Sequence, residues 1–147
     1  MILFRILPIA QSDRLLRSIG TGMTSVNSDE IARVLAKASS AGIYRECYHD
    51  SAMSMMQIML IGFARNYSYP FIRDVTRGKI VFVCLKGQLI LAHQSVRESS
   101  ITQQLLAPSQ AIVINRNSWR ATSAGNEGCV FLECIEGQYD PSIRVTR

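Results

Sequence analysis

Residues 80–92, with the sequence IVFVCLKGQLILA, decide the fold class of this chain. The first half is rich in β-branched residues, and a second apolar run follows directly after Lys86 and Gly87. β-branched side chains favour extended backbone, and a glycine between two such runs is typical of a turn. We therefore predict a hairpin with strands at 80–85 and 88–92.

Short apolar segments of the same kind lie on both sides of this predicted hairpin. Turn residues (Gly, Asn, Ser and Pro) separate them. Many short strands at such regular spacing are typical of a β-sandwich or a β-barrel. The predicted additional strands are residues 56–64, 101–106, 111–115, 119–123 and 129–135.

One helix is predicted before the strands. Asn27, followed three residues later by Glu30, resembles a capping box, which starts a helix. Apolar residues then recur at helical spacing, and Gly42 lies just beyond the last of them. We interpret residues 1–26 as an N-terminal arm, 27–141 as one domain that includes this helix, and 142–147 as a tail. The apolar residues of the helix are Ile31, Val34, Leu35 and Ala38.

The composition fits one globular domain of 147 residues with a net charge of +5. The basic residues are scattered and form no Lys/Arg run, so we expect no nucleic-acid partner. No apolar stretch reaches the length of a membrane-spanning helix, and the first residues do not resemble a signal peptide, so we expect no membrane partner. The four cysteines form no C-x-x-C pair, which predicts reduced thiols and a cytoplasmic protein.

Several segments have the order and spacing of one known family. They are YHDS at 48–51, MLI at 59–61, YP at 69–70, VFVCLKG at 81–87 and ECIEGQYDP at 133–141. Together they resemble the WbuC-type cupins of the RmlC-like jelly-roll superfamily, over roughly residues 27–141. The resemblance implies a mainly β cupin jelly-roll barrel with an N-terminal helix and a link to surface polysaccharide biosynthesis. We also expect a homodimer.

The resemblance also identifies the positions at which cupins usually hold a divalent metal. Those positions carry an H-x-H pair, a glutamate and a later histidine, which are good ligands for transition metals. In this chain they fall on Phe71, Arg73, Ile80 and Arg120. Phe and Ile have no donor atom, and Arg stays protonated. We therefore expect no metal and no other cofactor.

Two arginines at cupin metal positions suggest a different ligand. In the cupin register Arg73 and Arg120 point into the barrel, where a guanidinium needs a carboxylate, carbonyl oxygens, water or a ligand. One interpretation is that they bind a small anionic, sugar-related molecule, together with Glu133 and Tyr69. The other is that they pair with Glu133 or Asp74, or turn outward to solvent.

An enzyme that works without a metal is the first alternative function. His49, beside Asp50 and helped by Tyr48 or Tyr69, is the candidate for acid–base catalysis in a sugar-nucleotide isomerase or epimerase. A structural dimerising protein is the second alternative. An open pocket facing His49 would favour the enzyme. A pocket lined by the two arginines would favour anion binding, and a sealed apolar interior would favour the structural role.

Overall fold

Two long strands organise a barrel in the part of the chain that the structure describes. The computed structural model describes residues 26–147, and the prediction of a mainly β fold preceded by one helix is confirmed. A short 3-10 helix, Pro141–Ile143, precedes the last strand. The elements are α1 (Ser28–Ala41), β1 (Ile43–Cys47), β2 (Met56–Phe63), β3 (Ile72–Asp74), β4 (Lys79–Gln94), β5 (Thr102–Leu106), β6 (Ala111–Asn115), β7 (Trp119–Glu136) and β8 (Arg144–Thr146).

The eight strands form one curled sheet, which has two halves that share the long strands β4 and β7; we call these halves the two sheets. They pair antiparallel along most of their length, from Ile80 opposite Ile135 to Gln94 opposite Trp119. One sheet has the strand order β1-β2-β7-β4-β6 and uses the first half of β4 and the second half of β7. The other has the order β8-β3-β7-β4-β5 and uses the remaining halves. The two sheets therefore curl into one barrel.

The predicted hairpin at residues 80–92 is wrong, because β4 continues through Lys86 and Gly87 without reversing. Residues 119–123 and 129–135 are likewise one strand, β7. Gly87 and Gly128 have φ values of 73° and 76°, and the β4–β7 register shifts on both sides of Gly87. A Cβ atom on Gly87 would collide with the carbonyl oxygen of Gly128. Glycine therefore serves here to bend two closely apposed strands from one sheet into the next.

The helix packs on the outer face of the first sheet. Its predicted N-terminal cap is confirmed, since Asn27 Oδ1 accepts a hydrogen bond of 3.0 Å from the Glu30 N–H. Val34 is fully buried and packs with Leu60 of β2 and Val130 of β7. The opposite face of the same sheet carries a separate apolar cluster inside the barrel.

The last residues of the chain contribute to the barrel. Residues 142–147, which we interpreted as a tail, contain β8, and β8 pairs antiparallel with β3. Arg147 extends this pairing, because its backbone N–H donates to the Phe71 carbonyl at 3.0 Å. Residues 1–25 of the predicted arm lie outside the described residues. Within 26–147, no helix has the length and apolar character needed to cross a membrane.

The contact between the helix and β2 gives a first prediction. A Cβ atom on Gly62 would lie 2.8 Å from Val34 Cγ1 and 2.9 Å from the Val34 carbonyl oxygen, so the helix would have to move outward. We expect Gly62→Ala to lower the free energy of unfolding by about 1–3 kcal/mol, measured by urea denaturation. Gly125→Ala is the matched control, because its new methyl group would meet only the exposed side chain of Gln88. Equal stability of the two variants would contradict the close packing.

Candidate functional site

An open cavity of about 310 Å³ lies inside the barrel. The wall is apolar where it is formed by interior residues of β2, β4 and β7. Basic side chains from β1, β7, β8 and the turn before β7 form a second, cationic part. The apolar residues include Ile61, Phe63, Phe82, Phe131 and Ile135, and the basic residues are Arg45, Arg116, Arg120 and Arg144.

Three of these arginines share one carboxylate, Asp74, whose side chain is 1% exposed. Its Oδ2 atom accepts hydrogen bonds from Arg120 Nη2 at 2.9 Å and Arg116 Nε at 3.2 Å. Its Oδ1 atom accepts one from Arg144 Nε at 2.8 Å. One negative charge among three positive charges leaves this cluster, which we call the Asp74 cluster, with a net charge of +2.

The charges of the cluster hold Asp74 in its ionised form. Burial by itself would raise the pKa of this carboxyl group. The hydrogen bond from Arg144 and the nearby charges of Arg120 and Arg144 outweigh that effect and lower the pKa of Asp74 to about 2. The carboxylate is therefore a permanent counterion at neutral pH.

Backbone carbonyl groups fix the orientation of the buried guanidinium groups. Arg116 donates from Nη1 to the Glu136 carbonyl at 3.0 Å and from Nη2 to the Gln138 carbonyl at 2.9 Å. Arg120 donates from Nη1 to the Arg116 carbonyl at 3.3 Å. These contacts hold the two side chains in place before any ligand arrives.

Arg45 and Glu133 face the cavity without an ion-pair partner among residues 26–147. The Arg45 guanidinium lies 5.1 Å from the centre of the Tyr69 ring. Burial raises the pKa of Glu133 above its usual value, although the charges of Arg120, Arg45 and Arg144 oppose the shift. Glu133 is therefore a carboxyl group that can take up or release a proton inside a cationic cavity.

His49 lines the same cavity and is held by the backbone of β2. Its Nδ1 atom lies 3.1 Å from the Ile58 nitrogen and 3.0 Å from the Ile58 carbonyl oxygen. Because Nδ1 is engaged in this way, Nε2 is the atom left for a ligand. Of the predicted helpers, Tyr69 also lines the cavity, whereas Tyr48 and Asp50 do not.

The expectation that Arg73 points into the barrel is wrong, and Phe71, the metal position two residues before it, does not line the cavity. Ile72 and Asp74 face the interior instead, and Arg73 lies on the outer side, 5.2 Å from the centre of the Trp119 ring. Alternate residues of a strand face opposite sides, so a slip of one residue reverses every side chain.

The remaining predicted positions do lie inside. Ile80 is fully buried in the core, and Arg120, Glu133 and Tyr69 line the cavity. Of the partners considered for Arg120, the structure shows Asp74.

Three of the cavity arginines were not predicted as site residues from the sequence. Arg116 lies in a segment that looked like a turn, and Arg144 lies in the predicted tail. Arg45 lies in β1, a strand that was not predicted. The sequence does contain a signal for Arg45. Arg45, Cys47 and His49 are spaced two residues apart, which is typical of one face of a strand, and in the structure all three line the cavity.

The two-sheet barrel matches solved structures of known fold. An RmlC-like cupin protein from Desulfovibrio desulfuricans superposes with a TM-score of 0.60 and 17% identity, over 78% of this chain and 96% of that chain. The chain has the cupin fold. KdgF from Halomonas sp. matches with a TM-score of 0.54 and 13% identity, over 69% of this chain and 85% of that one. No protein-family model and no curated protein matches the sequence.

Oxalate oxidase structures have the same fold but are longer. A recombinant oxalate oxidase in complex with glycolate matches with a TM-score of 0.61 and 13% identity, over 81% of this chain and 64% of that chain. Of two other oxalate oxidase structures, the chain spans 43% and 52%. At sequence identities this low, the structural matches establish the shared cupin fold and nothing more.

The donor groups of this cupin barrel do not fit a divalent metal. No group of three or more His, Cys, Asp or Glu side chains within residues 26–147 is placed to hold a metal ion. The oxygens of Asp74 already accept hydrogen bonds from three guanidinium groups. Glu133 stands among arginines, whose positive charge would repel a cation.

The Asp74 cluster gives a second prediction. We expect Asp74→Asn to lower the free energy of unfolding at pH 7 by about 3–5 kcal/mol, because it leaves buried guanidinium groups without their counterion. The folded-state pKa of about 2 lies below the usual value of 3.8, so the stabilisation is present above the usual value and lost as the pH falls towards 2.

Urea denaturation between pH 7 and pH 2 checks both statements. Asp50→Asn, at an exposed aspartate that forms no ion pair with residues 26–147, is the control with the same change of charge. A loss of stability no larger in Asp74→Asn than in this control would contradict the role of the cluster.

Proposed function

We propose that the protein is a cupin that binds a small, anionic, sugar-related molecule in the barrel cavity. The observation that carries the proposal is the excess of positive charge: four arginines line the cavity, and Asp74 is the only carboxylate within residues 26–147 that forms ion pairs with any of them. Guanidinium groups recognise carboxylate and phosphate groups through paired hydrogen bonds.

The size and the other walls of the cavity support a ligand of about one sugar unit. A volume of about 310 Å³ is at the lower end for small-molecule pockets. The partly exposed side chains of Met59 and Tyr69 offer an apolar surface, and the hydroxyl group of Tyr69 offers a hydrogen bond. A carboxylate ligand also occurs on this fold, since two oxalate oxidase structures contain glycolate.

The segments that resemble WbuC-type cupins extend the proposal. They support membership of that family and a role in surface polysaccharide biosynthesis, with a homodimer as the working form. The open cavity with its charged wall gives less support to a purely structural dimerising role, for which a sealed interior would be expected.

A binding experiment with Arg45 variants tests the proposal. Arg45 takes part in no ion pair within residues 26–147, so its loss should leave the fold intact. We expect Arg45→Ala to weaken the binding of D-glucuronate or glucose 1-phosphate about tenfold in isothermal titration calorimetry. Arg65→Ala, which removes an exposed arginine that does not line the cavity, should bind as the wild type does. Absence of binding by both compounds would contradict the proposal.

The carboxyl group of Glu133 should make this affinity depend on pH. An ionised Glu133 repels an anion, so affinity should rise as the pH falls through the raised pKa of this group. We expect most of that rise to be absent in Glu133→Gln, when both proteins are titrated between pH 8 and pH 5. Both carry the same His49, so their difference isolates the carboxyl group. Identical pH profiles would contradict the assigned role of Glu133.

Acid–base catalysis is a second candidate function, favoured by the presence of His49 and Glu133 in one cavity. A group whose pKa is raised towards neutrality suits proton transfer. In a sugar isomerase or epimerase the base takes a proton from carbon, the electron pair moves to the adjacent carbonyl oxygen, and the proton returns from the base.

Hydrogen exchange in D₂O tests this candidate. We expect the protein to introduce deuterium at the carbon next to the carbonyl group of fructose 6-phosphate, detected by NMR, because the base exchanges its proton with solvent between removal and return. The rate should fall by at least about a hundredfold in Glu133→Gln or His49→Gln. Exchange at the same rate in both variants would exclude these residues as the base.

A further inference from the structure

We infer that a second cavity, at one end of the barrel, binds an oxyanion group such as phosphate or sulfate. This cavity has a volume of about 470 Å³ and is formed by the loops β3–β4, β4–β5 and β6–β7. It shares no lining residue with the barrel cavity. Its lining residues are Arg77, Ser95, Val96, Arg97, Asn115, Asn117 and Ser118.

The charge around this second cavity is positive and uncompensated. Arg77 and Arg97 are exposed and have no carboxylate within 4.0 Å among residues 26–147, and no acidic side chain lines the cavity. Even Glu98, the neighbour of Arg97 in the chain, forms no ion pair in that range. The arginines of the Asp74 cluster have a counterion, and these do not. Like charges held together repel one another, and a bound anion relieves that repulsion.

Two further arginines, which have no carboxylate partner in the described part of the chain, lie on the adjoining surface. The guanidinium groups of Arg73 and Arg147 lie 5.2 and 5.8 Å from the centre of the Trp119 ring. Trp119 directly follows Ser118 in the chain and pairs with Gln94, which precedes Ser95. The positive surface therefore continues from the cavity to this tryptophan.

The loops of the second cavity are held in place by their own hydrogen bonds. The Asn117 N–H donates to Asn115 Oδ1 at 3.0 Å, and the Ser118 N–H donates to the Asn115 carbonyl at 3.0 Å. On the facing loop, the Glu98 N–H donates to the Ser95 carbonyl at 3.1 Å. A site ordered before binding loses less entropy when a ligand arrives.

An unsatisfied acceptor indicates what else the ligand carries. Asn117 Oδ1 is buried and has no hydrogen-bond partner within residues 26–147. A buried acceptor without a donor is costly, so a rotation of the Asn117 amide towards the cavity that this residue lines, where a hydroxyl or N–H group of the ligand donates to it, would stabilise the site. The arginines and Asn117 together suit a phosphorylated or sulfated molecule with a hydroxyl group better than they suit a free inorganic ion.

Trp119 provides the measurement, because it is the only tryptophan of the chain. We expect its fluorescence to change saturably when inorganic phosphate or glucose 1-phosphate is added, with tighter binding of glucose 1-phosphate. The double variant Arg77→Ala/Arg97→Ala should weaken both at least about tenfold. Asn117→Ala should reduce the preference for the sugar phosphate. Arg65→Ala, which removes an exposed arginine that lines neither cavity, should leave the signal unchanged.

Three outcomes would overturn the inference. The first is a fluorescence signal that does not saturate, and the second is one that the double variant leaves unchanged. The third is binding of a single-stranded oligonucleotide that is tighter than binding of glucose 1-phosphate and depends on the four arginines of this surface, since the surface would then bind nucleic acid. These arginines are Arg73, Arg77, Arg97 and Arg147. A persistent Trp119 signal in a protein whose barrel cavity binds nothing would support this inference and count against the proposed function alone.

Discussion

The ionised carboxylate of Asp74 is the constraint on which the cationic wall of the cavity depends. It connects β3 to β7, to β8 and to the turn before β7, through three arginines that would otherwise repel one another. Buried ion clusters seldom add net stability compared with well-packed apolar residues. The remaining charge of the cluster is therefore better explained by a ligand than by folding, and this is why we assign the cavity to an anion.

Two groups of arginines in this barrel have different surroundings. Those of the Asp74 cluster are oriented by a carboxylate and by backbone carbonyl groups, so they present a fixed geometry. Those around Trp119 and the second cavity have no counterion among residues 26–147 and lie on loops or at the surface. The first arrangement favours selection of one ligand by shape, and the second favours attraction of any suitable oxyanion by charge.

Sequence patterns located most elements, and they failed where long-range pairing decides the outcome. The strand at Ala111–Asn115 and the cap at Asn27 follow from local chemistry, and both were predicted. Lys86 and Gly87 look like a turn, and only the approach of Gly128 from another strand shows that they form a bend. The inward direction of Asp74 depends on the register of β3, which the sequence alone does not specify. Arg144 was missed because β8 exists only by pairing with β3.

The passage of β4 and β7 through both sheets limits how the barrel can move. The two sheets cannot separate as rigid bodies, because β4 and β7 and the hydrogen bonds between them run through both sheets. A molecule that enters or leaves the cavity must therefore pass segments that lie outside this ladder, and the segments before β2 and after β7 contribute Ala52 and Tyr139 to the lining. The backbone of these two segments is joined, since the Tyr139 N–H donates to the Ala52 carbonyl at 2.8 Å. Substitutions in these two short loops therefore change the lining of the cavity without breaking the pairing of β4 with β7.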